Sequence, residues 1–261
     1  MIAHVAIQIW GYQERLNAVM KKNMQKAIII GASSGIGMQL AKLIAEDGFE
    51  IGLTGRRTEL LDKLASELSC KTYTKYMDIA DTQEAMKTLS DLIEEMGGLD
   101  LIFISSGIGH INHDLDQHLE QDTINTNVSG VTAIINTAMK YFLTKKSGHL
   151  AVMSSIASLR GSAESPAYNA SKAYLSNYLE GMYCLVKKQK LGITITDIKA
   201  GLIDTAMAKG DGLFWVMPLE KAVKQIYKAL KKKKSEVYIT KRWGLIAFIS
   251  KIIPKSLYWR L

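Results

Sequence analysis

From Gln25 onward the apolar residues of this chain alternate between two periods. Ala27-Ile28-Ile29-Ile30 is a continuous apolar run closed by glycine, the pattern of a strand buried on both faces. Residues 36–47 instead place Ile36, Leu40, Leu43 and Ile44 at helical spacing. The alternation then repeats down the chain. It predicts strands at 50–54, 72–77, 100–104, 148–153, 192–198 and 237–240. It predicts helices at 58–68, 82–96, 166–190 and 218–231, with two joined helical stretches over 116–145. Asp81 is the expected N-cap of the helix at 82–96. Strands alternating with helices make parallel crossover units. The expected fold is therefore α/β, a doubly wound, Rossmann-like parallel sheet of about seven strands with helices on both faces.

Three prolines and no low-complexity linker leave residues 25–240 as one domain. Residues 1–24 precede the first strand as an extension. Their apolar start is short and no small-residue cleavage site follows it, so a signal peptide is not expected. Residues 241–261 follow the last strand as a basic amphipathic segment.

Composition narrows the class. A chain with 48% hydrophobic and 22% charged residues is too apolar to be disordered. Two cysteines, Cys70 and Cys184, are too few for a disulfide framework or a zinc cluster, and fit a reducing, cytoplasmic setting. No apolar run reaches the ~18 residues of a membrane-spanning helix. The net charge of +8 is uneven. Residues 221–261 hold twelve Lys and Arg against one acid, Glu236, which leaves the first 220 residues at −3. Nucleic acid is not an expected partner, because a binding protein spreads its positive charge over a face of the domain.

The end of the chain asks a separate question. Lys231 to Lys234 close a helix, where the macrodipole favours cations without any further role. Residues 241–254 are apolar over most of a helical circumference and flanked by basic residues, with Trp243, Tyr258 and Trp259 nearby. Such a helix suits an anionic membrane surface, a subunit interface or a lid over a substrate mouth. The loop 204–217 carries two aromatics, Phe214 and Trp215. His110, His113 and His118 sit among Asp114 and Asp116 in a polar connection and read as solvated loop residues, so no metal is expected.

Two groups of residues carry chemistry. Gly31, Ser33, Ser34, Gly35, Ile36 and Gly37 form a glycine loop between the first strand and the first helix. Glycines there allow a tight turn and close backbone approach, and the helix N-terminus offers free N–H groups to a pyrophosphate. The second strand ends at Gly55 with no acid for a ribose 2′-hydroxyl, and Arg56 and Arg57 follow. Guanidinium groups match a 2′-phosphate, so NADP(H) is favoured over NAD(H). Further on, Tyr168 and Lys172 are spaced i, i+4 and share a helix face. An ammonium near a phenol favours the phenolate and makes it a usable general acid/base. Ser155, just past the fifth strand, can donate to a carbonyl oxygen.

These motifs, in this order, resemble the short-chain dehydrogenase/reductase family over roughly residues 25–240. The resemblance implies hydride transfer between a nicotinamide and a small-molecule carbonyl or alcohol. Tyr168 would be the general acid/base, Lys172 would hold the nicotinamide ribose and lower the tyrosine pKa, and Ser155 would orient the substrate oxygen. Asn127 matches the family's catalytic asparagine, implied to hold a water linking Lys172 to solvent. Asp78 and Ile79 resemble its adenine-contacting pair. Ser106, Gly107, Gly201, Ile203 and Thr205 occupy further cofactor positions. Ser105-Ser106 stands where the family has paired asparagines, and Ala200 where it has proline. A homodimer or homotetramer is the assembly that the resemblance implies. The rival readings are a non-catalytic NADP(H) sensor or scaffold, and a protein recruited to a membrane surface through its C-terminal segment.

Overall fold

The computed structural model describes residues 24–206 and 215–258. The extension 1–23, most of the loop that includes Phe214, and residues 259–261 lie outside them. Seven strands are present: β1 (Lys26–Ile30), β2 (Glu50–Gly55), β3 (Thr72–Tyr76), β4 (Leu101–Ile104), β5 (Ser147–Met153), β6 (Gly192–Ala200) and β7 (Glu236–Ile239). They form one sheet in the order β3-β2-β1-β4-β5-β6-β7. Every neighbouring pair is parallel. The chain order reverses between β1 and β4. In open α/β sheets the crevice beyond the strand ends at such a reversal is where ligands bind.

Helices α1 (Gly35–Glu46), α2 (Thr58–Glu67) and α7 (Leu219–Lys231) cover one face. Helices α3 (Thr82–Met96), α5 (Val131–Lys145) and α6 (Pro166–Lys188) cover the other. The strands serve both layers by alternation. Ile28 and Ile30 of β1 pack with Leu89, Leu92 and Ile134, whereas Ala27 and Ile29 pack with Leu40 and Ile44. That is why β1 reads as an unbroken apolar run. Asp81 caps α3 as its spacing predicts, accepting from the Glu84 N–H at 3.2 Å.

The departures from the sequence reading have physical causes. The joined helical stretch resolves into α4 (Gln117–Ile124), a π-helical turn at Asn125–Gly130, and α5. A Cβ on Gly130 would come within 2.3 Å of the Ile79 carbonyl, so this turn passes hard against the loop after β3. Asp100 stands just outside β4. Its carboxylate accepts from the Lys26 N–H at 2.8 Å and from Lys145 Nζ at 2.6 Å. β6 runs two residues further than expected, to Ala200. Residues 241–252 form helix α8 (Lys241–Ile252), followed by the short α9 (Lys255–Tyr258). No helix among the described residues is long and apolar enough to cross a membrane.

His149 on β5 is buried, with Nε2 at 2.8 Å from Thr196 Oγ1. The threonine spends its proton on the Lys234 carbonyl, so the neutral histidine donates from Nε2. Burial, assisted by Lys233, holds its pKa down at about 4. A depressed folded pKa means that the unfolded chain takes the proton first. Stability should therefore fall as pH drops from 6.5 towards 4, by ~3 kcal/mol in total. Urea titrations across that range should show the loss, and His149→Gln should flatten it.

Candidate active site

The glycine loop is shaped by what surrounds it. Gly31 has φ of +89°, and a Cβ there would lie 2.7 Å from Ser106 Oγ. A Cβ on Gly37 would meet the Gly31 carbonyl at 2.2 Å, so α1 packs directly on the loop. Gly35 differs: with φ of +56°, its nearest neighbour is a Thr205 methyl at 3.8 Å. Its missing side chain leaves open space above the helix end. No side chain caps α1 at Ser34 and no acid lies in its first turn. The helix thus presents uncapped N–H groups to the cleft. Arg57 Nη2 donates to Ser33 Oγ at 2.9 Å and to Ser34 Oγ at 2.7 Å, which sets its guanidinium over the loop. Arg56 is exposed, 3.9 Å from Asp78 Oδ2. Asp78 Oδ1 also accepts from the Ala80 N–H, which fixes the turn after β3. Ser105 Oγ donates to the Ile30 and Gly31 carbonyls at 3.0 and 3.2 Å, so a serine braces the sheet where the family has asparagine.

Ser155 is buried beside the end of β6, with Oγ donating to the Ala200 carbonyl at 3.2 Å. Tyr168 lies on α6, packed so closely that a Cβ on Gly109 would be 2.8 Å from its ring. Lys172, one turn on, is buried with Nζ 3.0 Å from the Met153 carbonyl and 5.7 Å from the Tyr168 ring centre. The expected lowering of the tyrosine pKa is overturned in the polypeptide by itself. Burial pushes the phenol up, and only the adjacent Ser155 hydroxyl pulls the other way. Burial also presses Lys172 down to about 8, against the Asp197 carboxylate, which favours its charged form.

Asn127 is fully buried behind this cluster. Its amide donates to the Ile108 carbonyl at 2.7 Å and to Ser171 Oγ at 3.0 Å, and its oxygen accepts from the Ile108 N–H. Both amide hydrogens are committed, so the side chain staples the loop after β4 to α6.

One cavity of about 1290 Å³ joins the two halves. Every residue expected at the site lines it except Asn127. Gly201 has a second reason to be glycine, since a Cβ there would lie 2.0 Å from the Trp243 ring of α8. Ile203 is buried and bridges to Met217. Thr205 Oγ1 donates to the Ile203 carbonyl. Among the described residues, His, Cys, Asp and Glu gather nowhere as a metal-binding group.

Sequence reasoning missed two sets of residues. One is a buried charge network. Ser154 Oγ donates to Asp197, whose other oxygen lies 2.8 Å from Lys199 Nζ, and Lys199 also pairs with Glu236. Burial works against the Lys199 charge, but its two acids hold its pKa above the ordinary value. Two charges at i, i+2 in a strand buried on both faces were the available signal. The other set lines the cavity where the C-terminal segment meets it, a lid being one of the places expected for that segment. It comprises Leu159 and Arg160 with Ile246, Ile249 and Ile253 of the C-terminal segment.

The comparisons agree with this fold. The model of the short chain dehydrogenase family matches residues 25–212, and the chain belongs to that family of oxidoreductases. An uncharacterized oxidoreductase of Myxococcus xanthus is 28% identical over 239 residues, covering 89% of this chain and 94% of the relative. Another, of Mycobacterium tuberculosis, is 31% identical over 191 residues, covering 70% and 75%. The fold is shared with an alcohol dehydrogenase of Thermococcus sibiricus complexed with 5-hydroxy-NADP (TM-score 0.74, 20% identity, covering 83% and 96%). It is shared also with a short-chain dehydrogenase of Sphingobium yanoikuyae in complex with NADPH (TM-score 0.75, 17% identity, covering 89% and 98%).

The Lys172 burial has a measurable cost. Its folded pKa of about 8 lies below the ordinary 10.5, so the native state carries a penalty for the charged lysine at neutral pH. Lys172→Met should melt above the wild type at pH 7. The gap should close as pH rises from 8 towards 10.5, where the wild-type lysine gives up its proton in both states.

Proposed function

We propose that the chain is an NADP(H)-dependent oxidoreductase that reduces the carbonyl of an apolar small molecule, or oxidises the matching alcohol. One observation carries the reading: Ser155, Tyr168 and Lys172 share one cavity with an uncapped helix N-terminus and two arginines. Gly31, Gly35 and Gly37 shape a cradle for a pyrophosphate, with Arg56 and Arg57 beside it for a 2′-phosphate. The relatives in structure that hold NADP or NADPH support the same choice. When bound, the cofactor supplies the hydride at its nicotinamide ring.

The chain's own residues position and protonate. Ser155 Oγ–H turns from the Ala200 carbonyl to the substrate oxygen and polarises it. Tyr168 gives its proton to that oxygen in reduction and takes it back in oxidation. Burial keeps the phenol protonated in the resting site, which suits a proton donor. The Lys172 ammonium, held at the Met153 carbonyl, would hold the ribose of the bound nicotinamide. Asn127 keeps the loop carrying Ile108 against α6, and so holds the cavity wall in place. Leu159, Ile246 and Ile253 add apolar lining to the cavity, which accommodates an apolar substrate body. A sensor would need only the cofactor cradle, whereas here the serine, tyrosine and lysine converge as well. Cys70 and Cys184 are free thiols, which suits the cytoplasm.

Tyr168→Phe should lower turnover of a carbonyl panel by ~10³-fold and leave NADPH affinity nearly unchanged. Unchanged turnover would overturn the reading. Arg57→Ala should weaken NADPH binding by ~10- to 100-fold and NADH binding little. Fluorescence titration of the two cofactors separates the outcomes, and equal losses would remove the 2′-phosphate assignment.

A further inference from the structure

Helix α8 carries two apolar stripes, where a surface helix ordinarily carries one. The inner stripe runs through Trp243, Ile246, Ser250 and Ile253. Trp243 is buried against Gly201, and the other three line the cavity. The outer stripe is Leu245, Ile249 and Ile252, spaced i, i+4, i+7. These residues are 63%, 44% and 66% exposed, and Leu257 on α9 adds a fourth at 52%. Ile249 belongs to both surfaces, because it also lines the cavity. Ile111 on the loop after β4 is likewise exposed and cavity-lining. The exposed apolar face therefore reaches the opening of the cavity at Ile249 and Ile111.

The segment is fastened in this orientation. Arg160, on the turn that follows Ser155, donates from Nη2 to the Ile253 carbonyl at 2.6 Å. Its guanidinium lies 4.5 Å from the Tyr258 ring centre, and the Tyr258 hydroxyl donates to the Gly161 carbonyl at 3.0 Å. These contacts hold the inner stripe on the cavity and leave the outer stripe facing away.

Charge indicates what covers it. Residues 241–261 contain five Lys and Arg and no acid, and Arg242 and Lys255 are exposed on α8 and α9. The Lys231 to Lys234 run is separate, since it precedes β7 and α8 follows it, at opposite ends of that strand. In a two-fold contact with a second copy the same patch meets itself, and its cations would oppose one another with no acid between them. An anionic lipid surface supplies the missing negative charge and accepts the apolar stripe.

We propose that α8 and α9 dock the protein on an anionic lipid surface, with Leu245, Ile249, Ile252 and Leu257 below the headgroups and Arg242 and Lys255 at the phosphates. The cavity mouth then faces the bilayer, so an apolar carbonyl compound reaches Tyr168 from lipid.

The test is cosedimentation of the full chain with phosphatidylcholine vesicles, with and without phosphatidylglycerol. The expected result is binding to the anionic vesicles that weakens at least tenfold in high salt. The double variant Leu245→Glu, Ile252→Glu should lose binding at least tenfold, yet keep the wild-type melting temperature and NADPH affinity. Equal binding to neutral vesicles, no binding to either, or full binding by the double variant would each overturn the proposal. So would light scattering that shows a wild-type dimer dissociated by the double variant, which would make the face an interface between copies. None of these readouts depends on turnover, so the docking and the proposed reaction can fail independently.

Discussion

The buried ammonium of Lys172 sets the terms for much of this structure. A charge so placed needs an acceptor and a counter-charge, or it gives up its proton. The acceptor is the Met153 carbonyl at the end of β5, and the counter-charge is Asp197 on β6. Asp197 then needs partners of its own, and finds Ser154 and Lys199. Lys199 in turn needs Glu236 on β7, which reaches solvent. Each compensation creates the next, and the chain of contacts runs from the cavity across two strands to the surface. The buried charges on β6 are explained by a lysine on a neighbouring helix.

Much of the fold was legible because its signals are local. The apolar runs of β1 and β4, the helical spacing in α1 and the Asp81 cap each fall within a few residues, and the strand–helix alternation implied a parallel sheet. The two ends of the site were legible for the same reason: the glycine loop and the Tyr168–Lys172 pair are short motifs. What escaped depends on separation. Arg160 and Ile253 are 93 residues apart, and no periodicity links them. The tyrosine pKa escaped for another reason. Spacing places an ammonium near the phenol, but how deeply both are buried is decided by packing, and burial prevails over proximity.

The family model matches residues 25–212, which contain the glycine loop and the Ser155, Tyr168 and Lys172 cluster. The helices α7 to α9 and strand β7 come later in the chain. The family model thus stops short of the C-terminal residues that line the cavity.

The Trp243 indole occupies the volume that a side chain at position 201 would require. Strand end and C-terminal helix are therefore not free to drift apart in evolution. Any lineage that shortened or re-angled α8 would leave an empty slot beside the cofactor end of the cavity. Any lineage that enlarged residue 201 would have to surrender the tryptophan. Related sequences should carry the two positions as a coupled pair, and a change at one should date the remodelling of the other.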